Sequence, residues 1–465
     1  MLFAADGEFV NATGLQLSGV LDELFSYSGM LGAIYSSETV SLYLWSPTAQ
    51  DVSVCIYKDP SGGDPLETVH LEEVNGVWSA HGPRRWEGYY YVYEVSVYHH
   101  STLQIEKCMA NDPYARGLSS DGTRTLLTDL GSISSKPEGW DNLADEKPEL
   151  LSFSDISIYE LHVRDFSAND FALNPDIRGG YLAFTSQDSP GILHLKKLQE
   201  AGLTHVHLLP TFQFADVDDD KNKWKSLDAD KLATMPPDSD EQQAQVAGIQ
   251  DQDGYNWGYN PVLWGDGYNW GYNPVLWGVP KGSYASNPND SCRILEFRKM
   301  VQALNRLGLR VVLDVVYNHL HGSGPHDENS VLDKVVPGYY LRRNADGCIE
   351  HSTCVNNTAS EHFMVERLIL DDLLRWAVDY KVDGFRFDLM GHIMKSTMVR
   401  VSVELLSFDT IHSFRESSSL VTGIETVGEG SIPDKGESMA GGRPRAMEDA
   451  WQSGVGGWRP RSRRV

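Results

Sequence analysis

Two phrases place polar side chains where an apolar run stops. In LRVVLDVVYNH these are Asp314, Asn318 and His319, and in VDGFRFDLMGH they are Arg386 and Asp388. Side chains of a strand alternate between its two faces, so Arg386 and Asp388, two residues apart, share one face. A guanidinium beside a carboxylate favours its ionised form. Ionised carboxylates perform nucleophilic and acid–base chemistry, and the plain alternative is a structural ion pair between Arg386 and a carboxylate. Charged groups are costly to bury in an apolar interior, so strand ends that open on a cleft suit them.

A third phrase offers aromatic rings. DGYNWGYNPVLWG occupies residues 253–265 and recurs letter for letter at 266–278. Two copies of so short a unit do not make a solenoid or propeller, which buries a core only by stacking several repeats. A tandem copy in a surface loop costs little entropy. The second copy is the one that runs on into VPKGSYASNP.

The elements that must position these residues are visible in the apolar pattern. The runs ISIYELHV, LTHVHLLP, LRVVLDVVYN and VDGFRFDL alternate with SPGILHLKKLQEAG, ILEFRKMVQALNRLG and HFMVERLILDDLLRWAVDY, whose apolar residues recur at helical spacing. In the first helix Leu193, Leu195 and Leu198 are expected to form the inward stripe, ending at Gly202. Alternating strands and helices predict a parallel sheet, and four strands over 151–400 make the first half of an eight-stranded (β/α)8 TIM barrel. A long insertion, Thr211 to Asn289, leaves the C-terminal end of the second strand and carries the doubled phrase. Such barrels hold their active sites on that face. The aspartates at 216–220 lack the spacing and glycine of a calcium loop, so a solvated surface is expected there and a structural calcium is not assignable.

Before the barrel the period is two. Val40, Leu42 and Leu44, then Val52, Val54 and Ile56, then the run Val92 to Val97, with turn signals PSGGDP and VNGVW, predict an antiparallel β-sandwich over 32–145. Trp45, Trp78, Trp86 and Tyr89 to Tyr91 are read as core or edge filler, with stacking on sugar rings as the alternative. The short link DLGSISSKPEGWDN ends in Trp140, which suits an interface with the barrel. Residues 1–31 read as the remnant of a further N-terminal domain.

The chain has 465 residues and a formal charge of −26, which disfavours nucleic acid and anionic membrane surfaces as partners and favours a neutral or cationic one. Five cysteines show no CxxC pair and no zinc spacing, as expected of free thiols. No apolar stretch of membrane-spanning length, export signal or transit segment is visible, so a soluble chain is expected.

LTHVHLLP, the YNWGYNP phrase, DVVYNH and GFRFDLMGH, in that order, resemble the α-amylase superfamily of glycoside hydrolases. YNWGYNPVLWGVPKGSYA, with SIYELHVRDFS and NDPYAR, is similar to its pullulanase and limit dextrinase branch, over about residues 32 to 400. The resemblance implies a starch-debranching enzyme that hydrolyses α-1,6 linkages of branched α-glucans (limit dextrin, pullulan, amylopectin) with retention, requires no cofactor and acts in plastids. It implies that Asp388 is the nucleophile, with Arg386 keeping it ionised. Asp314 and His319 would line the sugar subsite at the cleavage point while Asn318 holds the loop. The second tyrosine of the phrase, Tyr272 or Tyr259, would stack on the sugar carrying the scissile bond, and the second copy makes Tyr268 and Tyr272 the better candidates.

Retention needs a second carboxyl about 5 to 5.5 Å from the nucleophile. The sequence offers Glu429 in VGEG, without an apolar strand before it or a tryptophan after it, and Glu425 four residues earlier. From Val401 to Val465 the text shows neither strand nor helical period, so a divergent, disordered tail is expected. The reading is therefore of a truncated chain that cleaves pullulan barely or not at all as written. The alternatives are a non-catalytic α-glucan-binding fragment and an isoamylase or branching-enzyme relative.

Overall fold

The computed structural model describes residues 2–5, 8–12, 16–249 and 270–407, apart from positions 226, 237 and 353. The first copy of the aromatic phrase with Tyr259, and also Tyr268, Glu425 and Glu429, lie outside the described residues.

The period-two segment folds as two antiparallel sheets. One runs Gly32–Tyr35, Thr39–Trp45, Val77–Pro83, Glu72–Val74; the other runs Gln104–Ala110, Tyr90–His99, Ala49–Tyr57, Glu67–His70, with Thr125–Leu126 beside Tyr90–His99. Val40, Leu42, Val52, Val54 and Ile56 all point inward and are wholly buried. The tryptophans belong to the same core: Trp45, Trp78 and Trp86 are 2%, 7% and 1% exposed, so none is a sugar platform.

The sandwich is fastened to the barrel half. The Trp45 ring packs on Tyr339 at 4.8 Å, Ser46 Oγ donates to Val335 O at 2.7 Å, and Tyr114 OH donates to Asp371 at 2.8 Å. Trp140 is buried under Arg298 and Lys381. Within the segment 1–31, read as a remnant of a further N-terminal domain, residues 18–29 pack on the barrel half. Helix Ser18–Phe25 buries Leu21, its Asp22 accepts from Tyr339 OH and Phe363 N, and Arg367 donates to the carbonyls of Tyr27 and Gly29.

The second unit is a parallel sheet of β1 (Ile158–Leu161), β2 (His205–Leu208), β3 (Arg310–Val315) and β4 (Gly384–Phe387), in that spatial order. It is flanked by α1 (Pro190–Glu200), α2 (Cys292–Arg306), α3 (Phe363–Val378) and α4 (Lys395–Ser407). Ser189 caps α1 by accepting from Ile192 N, and Pro190 opens it without a donor to lose. Its buried stripe is Ile192 and Leu195; Leu193 is 44% exposed, one position off the expected face. Helix α4 runs past the expected boundary at residue 400, with Val401 and Leu405 buried, because its apolar face continues onto the sheet unit. β1 and β4 bound the sheet among the described residues. On β1, Ile158 and Tyr159 are 46% and 37% exposed, which is an open half-barrel. No described helix is long and apolar enough to cross a membrane.

The insertion after β2 contains short helices Ala229–Ala233 and Asp240–Ala247, and Phe212–Phe214 pairs antiparallel with Pro274–Pro280. Its anchor is an aspartate expected at a solvated surface. Asp219 is buried, 2.7 Å from Lys281 Nζ and 3.4 Å from Arg293 Nη1, and it accepts from Ser283 N. Lys281 also donates to Phe214 O and Val217 O, while Arg293 donates to Gln213 Oε1, Pro280 O and Leu118 O. A Cβ at Gly282 would fall 2.3 Å from the Asp219 carboxylate, so only glycine admits the close approach. Removing one partner of a buried ion cluster leaves the others uncompensated. Asp219→Ala should cost about 3–5 kcal/mol of stability, read from urea midpoints.

Candidate active site

The C-terminal ends of β2, β3 and β4 converge. Asp314 of β3 lies in register with Arg386 of β4. The ladder continues one residue beyond β4, where Asp388 N donates to Val315 O at 2.9 Å, and this delivers the Asp388 side chain to the same mouth. The next residue, Leu389, has φ 43°, a left-handed conformation that a non-glycine residue adopts only under constraint.

Asp314 is the buried centre. Its Oδ2 accepts from Tyr272 OH at 2.6 Å, and Arg386 Nη1 reaches both of its oxygens at 2.9 and 3.0 Å. The same Nη1 donates to Asp388 Oδ1 at 3.0 Å and stands 3.5 Å from Tyr272 OH. Burial opposes the Arg386 charge, but Asp314 outweighs it and the guanidinium is held firmly charged. Burial pushes the Asp388 carboxyl up, Arg386 pulls it down, and Asp314 adds to the rise, so its pKa lies above the ordinary carboxylate value. Arg386 thus limits the upward shift without reversing it. Tyr272 is pushed well up by burial and by Asp314, so its hydroxyl stays a donor.

Tyr272 reaches this position through the second copy of the phrase, whose Pro274–Pro280 strand is paired beside the end of β2. Gly271, at φ +87°, makes the turn into it, and a Cβ there would meet Pro210 at 2.9 Å. His319 was expected to line the sugar subsite. It is 3% exposed and instead donates from Nε2 to Tyr272 O at 2.9 Å, while Asn318 Nδ2 donates to its Nδ1 at 3.0 Å. The structure therefore brings Tyr272, Asp314, Arg386 and Asp388 together and puts His319 behind them.

Sequence reasoning passed over His207. It sits on β2 in the quoted run LTHVHLLP, with its ring nitrogens 3.2 Å from Glu160 Oε2 and 3.3 Å from Asp314 Oδ2. The available signal was a histidine inside an otherwise apolar strand run. Among the described residues no group of three or more His, Cys, Asp or Glu side chains is arranged to hold a metal ion.

Burial pushes the His319 imidazole down to about 4, against a weaker upward pull from the Tyr272 carbonyl. In the unfolded chain a histidine titrates near 6.5. Between about pH 6.5 and 4 the unfolded state therefore binds a proton that the folded state refuses, so stability should fall as pH drops through that window, by up to ~3 kcal/mol from this residue. His205, also lowered to about 4 by burial, acts in the same direction. Urea midpoints across the window check this, and His319→Gln should remove its share of the slope.

Residues 30–115, most of the sandwich, match the family Carbohydrate-binding module 48 (Isoamylase N-terminal domain). The chain is 65% identical over 430 residues to pullulanase 1, chloroplastic, of Arabidopsis thaliana, an alignment covering 92% of this chain and 43% of that protein. Its fold superposes on the crystal structure of PulA from Klebsiella oxytoca with a TM-score of 0.77 at 33% identity, covering 89% of this chain and 43% of the other. For Klebsiella pneumoniae pullulanase complexed with maltotriose the TM-score is 0.76 at 34% identity, with 87% and 41% covered. The chain spans less than half the length of these relatives. By sequence over nearly all of its length, and by the sandwich and half-barrel it shares with them, the chain is homologous to the pullulanases over the part of their length that it spans.

Proposed function

We propose that the mouth of β2 to β4 is the nucleophile side of a retaining α-1,6-glucosidase site acting on branched α-glucans such as limit dextrin, pullulan and amylopectin. The observation that carries the reading is the bridge Asp314–Arg386–Asp388, with Tyr272 locked to its buried end. It is supported by the carbohydrate-binding sandwich and by the maltotriose held by a pullulanase of the same fold. The plastid is the proposed location, since the Arabidopsis relative is chloroplastic.

In this reading the Asp388 carboxylate attacks the anomeric carbon as the bond to O6 of the neighbouring glucose breaks. O6 leaves with the electron pair and takes a proton from a second carboxyl. Water then attacks the same carbon, gives its proton back to that second carboxyl, and releases Asp388. Arg386 holds Asp388 ionised and oriented, and the Tyr272 ring, fixed through its hydroxyl and its carbonyl, offers the sugar a partly exposed aromatic face. Glu429 is assigned the role of second carboxyl.

A glycosyl fluoride separates the two carboxyl roles, because fluoride departs without a proton. Incubation of the full chain with 5-fluoro-α-glucosyl fluoride should add one glycosyl mass, mapped to the peptide containing Asp388, and Asp388→Asn should add none. Labelling elsewhere, or in the Asn variant, would refute the nucleophile. The chain as written is expected to release few or no reducing ends from pullulan, and whatever release it shows should fall about 10²- to 10⁴-fold in Glu429→Gln while the labelling step is spared. Unchanged pullulan cleavage would remove Glu429 from the mechanism. A non-catalytic glucan-binding protein would show no labelling.

A further inference from the structure

His207 has no part in that mechanism, yet it stands between two carboxylates in the floor of the site. Its Nδ1 is 3.2 Å from Glu160 Oε2 on β1 and its Nε2 is 3.3 Å from Asp314 Oδ2 on β3. With Arg386 and Asp388 this makes one row across four neighbouring strands: Glu160, His207, Asp314, Arg386, Asp388. A neutral imidazole has one N–H and one lone pair, so one of the two carboxylates would face a lone pair. An imidazolium sets a positive charge between them, and the charges of the row then alternate.

The reason for a cation at this point lies in Arg386. Asp314 is wholly buried, and a buried carboxylate demands compensation. Arg386 supplies it through the same nitrogen that holds Asp388. With no other positive group beside it, Asp314 would draw the guanidinium away from Asp388. The contact of His207 Nε2 with Asp314 lacks hydrogen-bond alignment, so what it contributes is charge rather than a directed bond.

We propose that His207 is a positioning residue. As an imidazolium between Glu160 and Asp314 it compensates Asp314 and leaves Arg386 to hold Asp388 ionised in the attacking position. The inference rests on the nucleophile reading of Asp388. The titratable and charged groups around it are Glu160 from β1, Asp314 from β3, Arg386 and Asp388 at the end of β4, Tyr272 from the insertion, and His205 two residues earlier on its own strand.

The test is the rate of covalent labelling by 5-fluoro-α-glucosyl fluoride, followed by intact mass, for the full chain and its variants. His207→Gln should label about tenfold or more slowly, and His207→Lys, which restores the charge, should recover most of the rate. Circular dichroism establishes that the variants keep their fold. Should His207→Gln not fold, Glu160→Gln at the half-exposed end of the row is the second variant, expected to slow labelling severalfold, and an unchanged rate there counts against the proposal. A His207→Gln chain labelling at the original rate overturns this proposal alone, as does a Lys variant no faster than Gln. An unaltered chain that takes no label, or an Asp388→Asn chain that takes it, overturns the nucleophile reading and this proposal with it.

Discussion

The site is built around the burial of one carboxylate. Asp314 has no access to water, so its charge must be met inside the protein, and the groups that meet it are the ones the proposed chemistry uses. Tyr272 spends its hydroxyl on Asp314, which fixes the ring, and Arg386 spends one nitrogen on both aspartates, which fixes Asp388 relative to Asp314. A residue that makes no attack of its own thereby sets the geometry of one that does. Neighbouring strands of a parallel sheet hold such a pair in place better than loops, because the Asp314–Arg386 register is set by the backbone ladder.

The second requirement is that a long insertion return Tyr272 to the same point. Two devices achieve it. The Phe212–Phe214 and Pro274–Pro280 pairing ties the returning chain to the end of β2, and the buried Lys281–Asp219–Arg293 cluster pins both sides of that pairing. Arg293 also binds Leu118, in the segment that closes the sandwich, so the sandwich and the barrel mouth share one anchor. His319 completes the fastening from below by holding the Tyr272 carbonyl.

Much of this was legible from local pattern. The period of two in Val40, Leu42 and Leu44, the helical spacing before Gly202, and the placing of Asp314 near the end of a Val-rich strand and of Asp388 just beyond a Phe-containing one follow from which face of an element meets the core. Local pattern failed where faces are decided by a partner distant in sequence. Leu193 lost its place to Ile192, and helix α4 ran seven residues past the apparent boundary at 400 because Val401 and Leu405 find cover. Asp219 was read as solvated because nothing beside it announces Lys281 and Arg293, more than sixty residues away.

The sequence by itself determined the strand and helix order, the family of motifs, and the identity of the residues at the strand ends, since these depend on neighbours along the chain. Tertiary structure alone decided what those residues touch. It sent His319 behind Tyr272 instead of into the cleft, brought Tyr272 to Asp314, and set His207 between Glu160 and Asp314. The physical reason is that a buried charge is compensated by whatever group the fold brings within a few ångströms of it, and separation along the chain carries no information about that distance.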